Sequence, residues 1–313
     1  MARFLIVRLT LIVVTLLAVS VAIFSLIEFA PGDAAAIILG QGATPDNLKA
    51  LRERMGLDKP PHIRYLDWIG GAVQGDLGNT ASGAEISGIV GGRLFNSALL
   101  AVGAFLIAVP LGLVAGVLVG AKSDTLLDRV LTLGGLLTIS LPEFVTGVVL
   151  VLILSTTLGW LPSSSIMMPG ETIPGNPQVL IMPILTVTGA LFAYIFRMAR
   201  ANVIEVMGSN YVRTAILKGL PMRTVIIRHV LPNALLPTIT VIANNVGWLF
   251  GGLIIVENLF AYPGMGSLLI QAINARDIRL LQSTAMIIAA VYAFSNLAAD
   301  LAYGALNPRV RLS

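Results

Sequence analysis

Residues Leu94–Gly120, LFNSALLAVGAFLIAVPLGLVAGVLVG, contain no charged side chain, and they decide the class of the fold. A bilayer core about 30 Å thick is crossed by about 20 apolar residues, each adding about 1.5 Å of helix. This stretch is longer than that minimum. Pro110 within it is tolerated in a membrane bundle, because neighbouring helices and hydroxyls bond the backbone carbonyl that a proline leaves free. The stretch therefore predicts a transmembrane helix.

Further apolar stretches of spanning length lie on both sides of the first. They are Leu9–Ala30, Val130–Trp160, Val179–Arg197, Leu235–Val256 and Thr284–Tyr303. The chain of 313 residues is 56% hydrophobic and 12% charged, whereas ordinary soluble domains carry about a quarter charged residues. We expect an all-α membrane bundle of six helices, in which Val130–Trp160 is long enough to tilt or to extend beyond the hydrocarbon.

The first of these stretches, Leu9–Ala30, is expected to be a retained anchor. It follows Arg3 and Arg8, as the apolar region of a signal peptide also would. It is long for a signal peptide, however, and it lacks the A-x-A-like exit at which such a peptide is cleaved. The anchor is therefore the favoured interpretation.

The positive charges orient the predicted bundle. With the N-terminus inside, only Arg276 and Arg279 fall in short outer loops. This orientation places the following residues in the cytoplasm: Arg3, Arg8, Lys122, Arg129, Arg197, Arg200, Arg213, Lys218, Arg223, Arg228, Arg309 and Arg311. Because cytoplasmic loops of membrane proteins are enriched in Lys and Arg, both termini are predicted to be cytoplasmic.

The spans divide the chain into four regions. They are an N-terminal anchor (1–30), an extracytoplasmic loop region (31–92), a transmembrane domain (93–304) and a cytoplasmic tail (305–313). In the outer loop region, Thr44–Met55 and Pro61–Val73 are polar patches with helical character, so we expect a small folded loop domain there. The transmembrane domain contains a basic cytoplasmic loop, residues 198–234.

The sequence lacks the motifs of common catalytic sites. It has no cysteine, which excludes thiol catalysis, cysteine–zinc sites and disulfides. None of its lysines follows a glycine, so no G-x-x-x-x-G-K-[ST] phosphate loop is present. Its histidines, His62 and His229, form no H-E-x-x-H zinc site, and no G-x-S-x-G nucleophile elbow occurs. We expect no enzymatic activity and no metal or cofactor in this chain.

The cytoplasmic loop contains the signals of a short capped helix at Tyr211–Gly219. Ser209 or Asn210 can accept the first free backbone amide, and Lys218 suits the negative end of the helix dipole. Gly219 suits a left-handed closing position, and Pro221 prevents continuation. Val212 and Ile216 are expected on one face, with Tyr211 beside them. The residues alone favour equally a rigid helix that contacts a protein and an amphipathic helix on lipid headgroups.

A pattern in this loop resembles the cytoplasmic loop of ABC-importer permeases, whose consensus is E-A-A, three residues, G, nine residues, then I-x-L-P. Arg213, Thr214 and Ala215 stand at the first three positions and Gly219 at the glycine. The last four positions are His229-Val230-Leu231-Pro232. Arg213, Thr214 and His229 depart from the consensus, but the Y-V-R-T-A-x-x-K-G-L form is similar to the dipeptide/oligopeptide/nickel branch of the family.

The resemblance to this branch covers nearly the whole chain. The matching segments are Ala30-Pro31-Gly32-Asp33, Gly56-Leu57-Asp58, Gly75-Asp76-Leu77-Gly78, Leu141-Pro142, Val256-Glu257-Asn258-Leu259-Phe260 with Pro263-Gly264-Met265-Gly266, Asp300-Leu301-Ala302-Tyr303 and Asn307-Pro308-Arg309-Val310-Arg311. Each is weak by itself, but their common order is specific. Glu143 is a departure, because this branch more often has Ser after Leu-Pro.

The resemblance implies the type-1 permease fold and an importer complex in the cytoplasmic membrane of a bacterium or archaeon. A second homologous permease, two ATPase subunits (or one bifunctional type) and an extracytoplasmic binding protein would complete it, and nucleic acid is not a partner. ATP and Mg would be bound by the ATPases. The coupling residues would be Tyr211, Arg213, Thr214, Ala215, Lys218, Gly219, Leu231 and Pro232. Gly219 and the Leu231-Pro232 break would let this helix transmit a displacement without unwinding the spans.

The cargo implied by the resemblance is a short peptide. Nickel chelates, opines, glutathione and oligosaccharides are alternatives within the family. From a different class, an ion-gradient-driven secondary transporter would be favoured by inverted repeats and several midplane carboxylates, whereas the spans show essentially one, Glu143.

Three residues inside the predicted spans are candidates for the substrate pathway. Glu143 is deep in the third span, where an ionisable group is a functional candidate. It can meet a substrate amine, pair with the partner permease, or sit protonated in the bundle. Asn244 and Asn245 can bond a substrate or link helices. Gly112, Gly116 and Gly120, spaced by four, predict close helix packing.

Overall fold

The computed structural model describes residues 2–29, 32, 34–40, 44–167 and 172–306, and this part of the chain contains helices and no β-strand. The helices are α1 (Ala2–Glu28), α2 (Ala34–Leu39), α3 (Pro45–Met55), α4 (Pro61–Gln74), α5 (Ile86–Ala121), α6 (Leu126–Ser140), α7 (Glu143–Leu150), α8 (Gln178–Met207), α9 (Asn210–Leu217), α10 (Met222–Val225), α11 (Leu231–Leu259), α12 (Met265–Asn274) and α13 (Ile278–Leu306). A π-helical turn, Val151–Thr157, continues α7, and another, Ile226–Val230, joins α10 to α11.

The number of spans agrees with the predicted six. Five helical segments of the described chain are long and apolar enough to cross a membrane, and a bent pair of helices makes a sixth. The five are Leu5–Glu28, Ile86–Ala121, Gln178–Met207, Met222–Gly247 and Ile278–Ala302. The chain is therefore an all-α, multi-pass membrane protein.

The third predicted span, Val130–Trp160, is not one tilted helix, and that expectation is wrong. Helices α6 and α7 meet at a bend of 110°. Pro142 starts the second helix without a backbone N–H to donate, and the residue before a proline is forced out of the helical region. Leu141 accordingly has extended backbone angles, φ −89° and ψ 135°.

The described residues group into two compact units, and one of them is drawn from Met1–Ser97 and Pro263–Phe294. It contains the two predicted patches of the outer loop as helices α3 and α4, which confirms their helical character. The hydroxyls of Ser20 and Tyr65 join α1 to α4 with a 2.8 Å hydrogen bond. Helices α2 and α12 were not predicted from the sequence; α12 begins at Met265, within the Pro263-Gly264-Met265-Gly266 motif.

The other unit is drawn from Ala98–Tyr262 and Ser295–Ser313. Its core is apolar and includes α8 residues Leu191 and Ile195, which are fully buried together with Val256 and Phe260. Helix α8 packs against α6, α7 and α11, so it is the central helix of this unit. Residues 307–313 of the predicted tail, with Arg309 and Arg311, lie outside the described residues, as do the motif residues Ala30, Pro31 and Asp33.

Candidate coupling site and substrate pathway

The predicted helix in the cytoplasmic loop is confirmed as α9, which runs from Asn210 to Leu217. Ser209 precedes it with extended backbone angles, but its hydroxyl donates to the Val206 carbonyl at 2.6 Å instead of capping α9. Gly219 closes the helix with φ +76°, the left-handed conformation that glycine adopts without a steric cost. The local sequence therefore encodes a single rigid element of about two turns.

Helix α9 has a buried face and an exposed apolar face. Val212 and Ala215 are buried, at 0% and 5% exposure. Tyr211, Ile216 and Leu217 are 45%, 42% and 79% exposed. Val212 and Ile216 are neighbours four apart on this helix, as expected, but only Val212 is buried, because the smaller Ala215, three residues after Val212, takes the inner position.

The buried face of α9 sits in an apolar cluster that it shares with five other helical segments. Its buried members are Val203, Val212, Ala215, Val225, Val230 and Ala234, and Val117, Ala121, Val206 and Met207 pack against them. These residues come from α5, α8, α9, α10, α11 and the π turn before α11. A displacement of α9 would therefore act on close-packed side chains of several helices at once.

The predicted break at Leu231-Pro232 is absent, so that expectation is wrong. α10, the π turn Ile226–Val230 and α11 follow one another without interruption, with Pro232 in the first turn of α11. The ring of a proline clashes with the carbonyl four residues earlier, which here is that of Arg228 within the π turn. We attribute the continuity to that turn, because its wider hydrogen-bonding pattern gives the proline room.

Helices α5 and α8 are in close contact along the glycines spaced by four, which confirms the predicted packing. A Cβ placed on Gly116 would lie 2.6 Å from the Ala199 Cβ and 2.8 Å from the Phe196 carbonyl oxygen. Gly112 and Gly120 show the same crowding against Ile195 and Val203. Side chains at these positions would force the helices apart. The contact makes α5 and α8 a stiff pair next to the cluster under α9.

A charged pair that the sequence analysis did not predict fixes the start of α6 to α8. Arg200 donates from Nε and Nη2 to the two carboxylate oxygens of Asp128 at 2.5 and 2.7 Å. Asp128 is buried and also accepts from the Asp124 backbone N–H at 2.9 Å and the Thr132 hydroxyl at 3.0 Å. The local sequence shows only the Thr125–Asp128 spacing of a helix-capping motif, and this motif does not indicate that Asp128 pairs with the distant Arg200.

Glu143 occupies the first position of α7, immediately after the bend. Its carboxylate lies against α11, since a Cβ placed on Gly252 would be 2.5 Å from the Glu143 Oε2. The Oε1 atom is buried and has no hydrogen-bond partner in the part of the chain that the structure describes. A carboxylate oxygen in this position is an acceptor without a donor, which a ligand or a partner subunit can supply.

The structure gives less support to the other two pathway candidates, Asn244 and Asn245. Asn245 uses its side-chain amide on its own helix, donating to the Val241 carbonyl at 2.8 Å, and the side chain of Asn244 lies outside the described atoms. The polar link between helices comes instead from Asn202, which donates to the Thr238 hydroxyl at 3.0 Å. Both residues are buried, and the sequence analysis did not single them out.

The structure places the predicted coupling residues in three environments. Arg213, Thr214 and Lys218 are exposed on α9 and its end, together with Tyr211. Ala215 is buried beneath them, so it supports the helix and does not form part of its outer surface. Leu231 and Pro232 begin α11 beyond the π turn.

The turn that follows α11 belongs to the core. Glu257 and Tyr262 are fully buried, and the Tyr262 backbone N–H donates to the Glu257 carbonyl at 2.8 Å. Burial raises the pKa of the Tyr262 phenol, and the Glu257 carboxylate raises it further. This part of the sequence pattern is therefore structural.

Comparison with known proteins identifies the family. Residues 88–312 match the binding-protein-dependent transport system inner membrane component, and residues 1–95 match the N-terminal part of such membrane components. The chain belongs to this permease family. It is the membrane subunit of an ABC importer, a transport subunit that works with an ATPase and an extracytoplasmic substrate-binding protein.

Relatives of the permease match along nearly their full length. It is 34% identical to a putative peptide permease protein of Brucella suis biovar 1 (strain 1330), over 100% of both chains. It is 33% identical to a putative peptide transport system permease protein of Brucella abortus (strain 2308), over 95% of both chains. It is 32% identical to the glutathione transport system permease protein GsiC of Escherichia coli (strain K12), over 99% of both chains.

Proposed function

We propose that this permease carries short peptides into the cytoplasm and that α9 is the helix on which the ATPase acts. Two of the relatives, in Brucella suis and Brucella abortus, are named as peptide permeases. Their similarity extends over at least 95% of this chain, so it includes the spans as well as the loop. This supports peptides as the class of cargo.

One observation carries the coupling role: α9 has an apolar surface that nothing in the described chain covers. Tyr211, Ile216 and Leu217 are exposed on a helix whose opposite face is packed into the apolar cluster. A short amphipathic helix that lays its exposed face in a groove of a partner is a common mode of protein recognition. The groove would belong to the ATPase, and α9 would be held in it by apolar contact and by Arg213 and Lys218.

The proposed mechanism is a rigid transfer of movement. ATP-driven closure of two ATPase subunits would move α9 together with its counterpart in a second, homologous permease. The cluster below α9 would pass the movement to α5, α8 and α11, and the crowded glycines Gly112, Gly116 and Gly120 would keep α5 and α8 from sliding. The bundle would then change between inward-facing and outward-facing states.

The complex would be oriented with both termini in the cytoplasm of the cell that makes it. ATP and Mg would be bound by the ATPase subunits, because this sequence has no phosphate-binding loop. Glu143 would meet the amino group of the peptide in the spans, since its Oε1 lacks a donor among the described residues. A binding protein would deliver the peptide on the side of the loop region.

Glutathione is the second candidate cargo, because GsiC of Escherichia coli is 32% identical to this chain over 99% of it. Glutathione has a free amino group and carboxylates, as a short peptide does, so the two cargoes need similar contacts.

The test is uptake into vesicles that contain the complete complex. The permease is co-purified with its partner permease, ATPase and binding protein, and uptake of labelled trialanine and glutathione is measured with ATP and with a non-hydrolysable analogue. We expect trialanine uptake that requires ATP hydrolysis. Glutathione uptake without trialanine uptake would replace the peptide by the second candidate. Uptake driven by an ion gradient without ATP would overturn the proposal.

A further inference from the structure

A cavity lies within the unit drawn from Met1–Ser97 and Pro263–Phe294, and it has about 320 Å³ of free volume. Its apolar walls include Phe24, Leu57, Trp68 and Leu77, and its charged lining includes Arg64 and Arg279. Ligand pockets in proteins commonly hold about 300–1,000 Å³ and combine apolar walls with a few polar groups. The cavity is at the small end of that range, which suits one or two amino-acid residues.

The wall formed by the loop before α5 is fixed to the start of α13. Asp277 accepts the Ala81 backbone N–H at 2.7 Å with one oxygen and the Leu280 backbone N–H at 3.1 Å with the other. Gly78 has φ +74°, and a Cβ there would lie 3.1 Å from an Arg279 guanidinium nitrogen. The cavity is therefore formed before any ligand enters, which reduces the ordering cost of binding.

Two buried side-chain atoms at the cavity have no hydrogen-bond partner among the described residues, and both are donors. The Trp68 Nε1–H and the Arg64 Nε–H are buried, and neither has an acceptor in the described residues. Arg64 donates to Glu28 from its Nη2 alone. A buried donor without an acceptor costs free energy, and a ligand that supplies the acceptor recovers it.

The acidic groups in the lining are already engaged. Both oxygens of Asp277 accept backbone N–H groups, Asp76 accepts the Gly78 N–H at 2.8 Å, and Asp67 is paired with Lys59 at 2.8 Å. Among the charged groups and the buried atoms without a partner, those that remain for a ligand are the two N–H donors and the exposed guanidinium of Arg279. They favour an acceptor that carries negative charge.

We propose that this cavity binds the C-terminal carboxylate of a short peptide, with Trp68 and Arg279 as the recognising residues. The apolar walls contact the last side chain of the peptide, and the carboxylate accepts from the free donors. The assignment rests on the proposed peptide cargo, and it adds a binding subsite outside α9 and the pathway candidate Glu143.

The test is equilibrium binding to the purified complex without its binding protein and without nucleotide. Labelled trialanine and trialanine amide, which lacks the terminal carboxylate, are dialysed against the complex in lipid nanodiscs. We expect the amide to bind about tenfold or more weakly, because it lacks charge-assisted hydrogen bonds. Trp68→Phe, which keeps a ring but removes the N–H, and Arg279→Gln are expected to weaken trialanine binding by about tenfold. Trp160→Phe, at an exposed residue outside the cavity, is the matched control.

Equal binding of the acid and the amide, or unchanged binding by Trp68→Phe, would overturn the proposal. ATP-driven uptake measured in parallel separates this proposal from the proposed function. If uptake persists but dialysis shows no preference for the free carboxylate, the subsite alone is refuted. If no peptide is taken up, the proposed function as a peptide importer is refuted.

Discussion

Gly219 gives the sharpest prediction, because the structure separates two effects of replacing it, which are backbone strain and a steric clash within the chain. Its φ of +76° lies in the left-handed region, and a Cβ there would meet no atom of the described chain within 4 Å. A non-glycine residue therefore adds backbone strain, about 1–2 kcal/mol, but no clash within the chain. That strain alone would reduce the population of the closed helix end by a factor of about 5–30.

We predict that Gly219→Val abolishes ATP-driven uptake and leaves the amount of permease in the membrane within about twofold of the wild type. Asparagine tolerates the left-handed conformation better than other residues, so Gly219→Asn is expected to keep more uptake than Gly219→Ala. Gly208→Ala is the control, because Gly208 has a right-handed φ of −74° and its nearest contact would be an ordinary 3.5 Å. Uptake by Gly219→Val at the wild-type rate would refute coupling through the end of α9.

Three further variants test two helix contacts and the pathway candidate Glu143. Gly116→Ala is expected to destabilise the complex by about 1–3 kcal/mol through overpacking and to lower its melting temperature. Gly134→Ala is the control, because a Cβ there would meet nothing within 4 Å, and it should leave the melting temperature unchanged. Equal melting temperatures of the two variants would refute the tight contact between α5 and α8. Asp128→Asn removes the negative charge that pairs with Arg200, and we expect the free energy of unfolding by denaturant to fall by about 1–3 kcal/mol. This loss is smaller than for a fully buried pair, because Arg200 is partly exposed. An unchanged midpoint of denaturant unfolding would contradict this expectation. Glu143→Gln is expected to slow uptake of peptides with a free N-terminus more than uptake of acetylated ones, and equal effects on both would exclude recognition of the amine.

Much of the fold could be predicted from the sequence, because a bilayer imposes a length and an apolar composition on each span. The capped helix α9 was also predictable, since Gly219 and Pro221 are local signals of a helix end. The 110° bend between α6 and α7 could not be predicted, although the sequence shows Pro142 at that position. A proline inside a span is compatible with a kink or with two separate helices, and tertiary packing decides between them.

The interactions that stiffen the coupling region depend on residues far apart in sequence. The glycines of α5 indicated close packing, but only the structure shows that Ala199 of α8 fills the space. The pairing of Asp128 with Arg200 joins residues separated by 72 positions, and the hydrophobic periodicity of a sequence does not predict such a pair. The continuous helix through Pro232 likewise depends on a π turn, which has no recognised sequence signal here.

The central claim is that the exposed apolar face of α9 contacts the ATPase, and site-specific cross-linking measures this directly. The chain has no cysteine, so Leu217→Cys, at a residue 79% exposed, introduces a single attachment point for a photoactivatable reagent. Val73→Cys, at a residue 83% exposed on α4, is the control. The account predicts that light joins position 217 to the ATPase subunit in the assembled complex and leaves position 73 unattached to it. Adducts of position 217 with lipid alone would contradict the account.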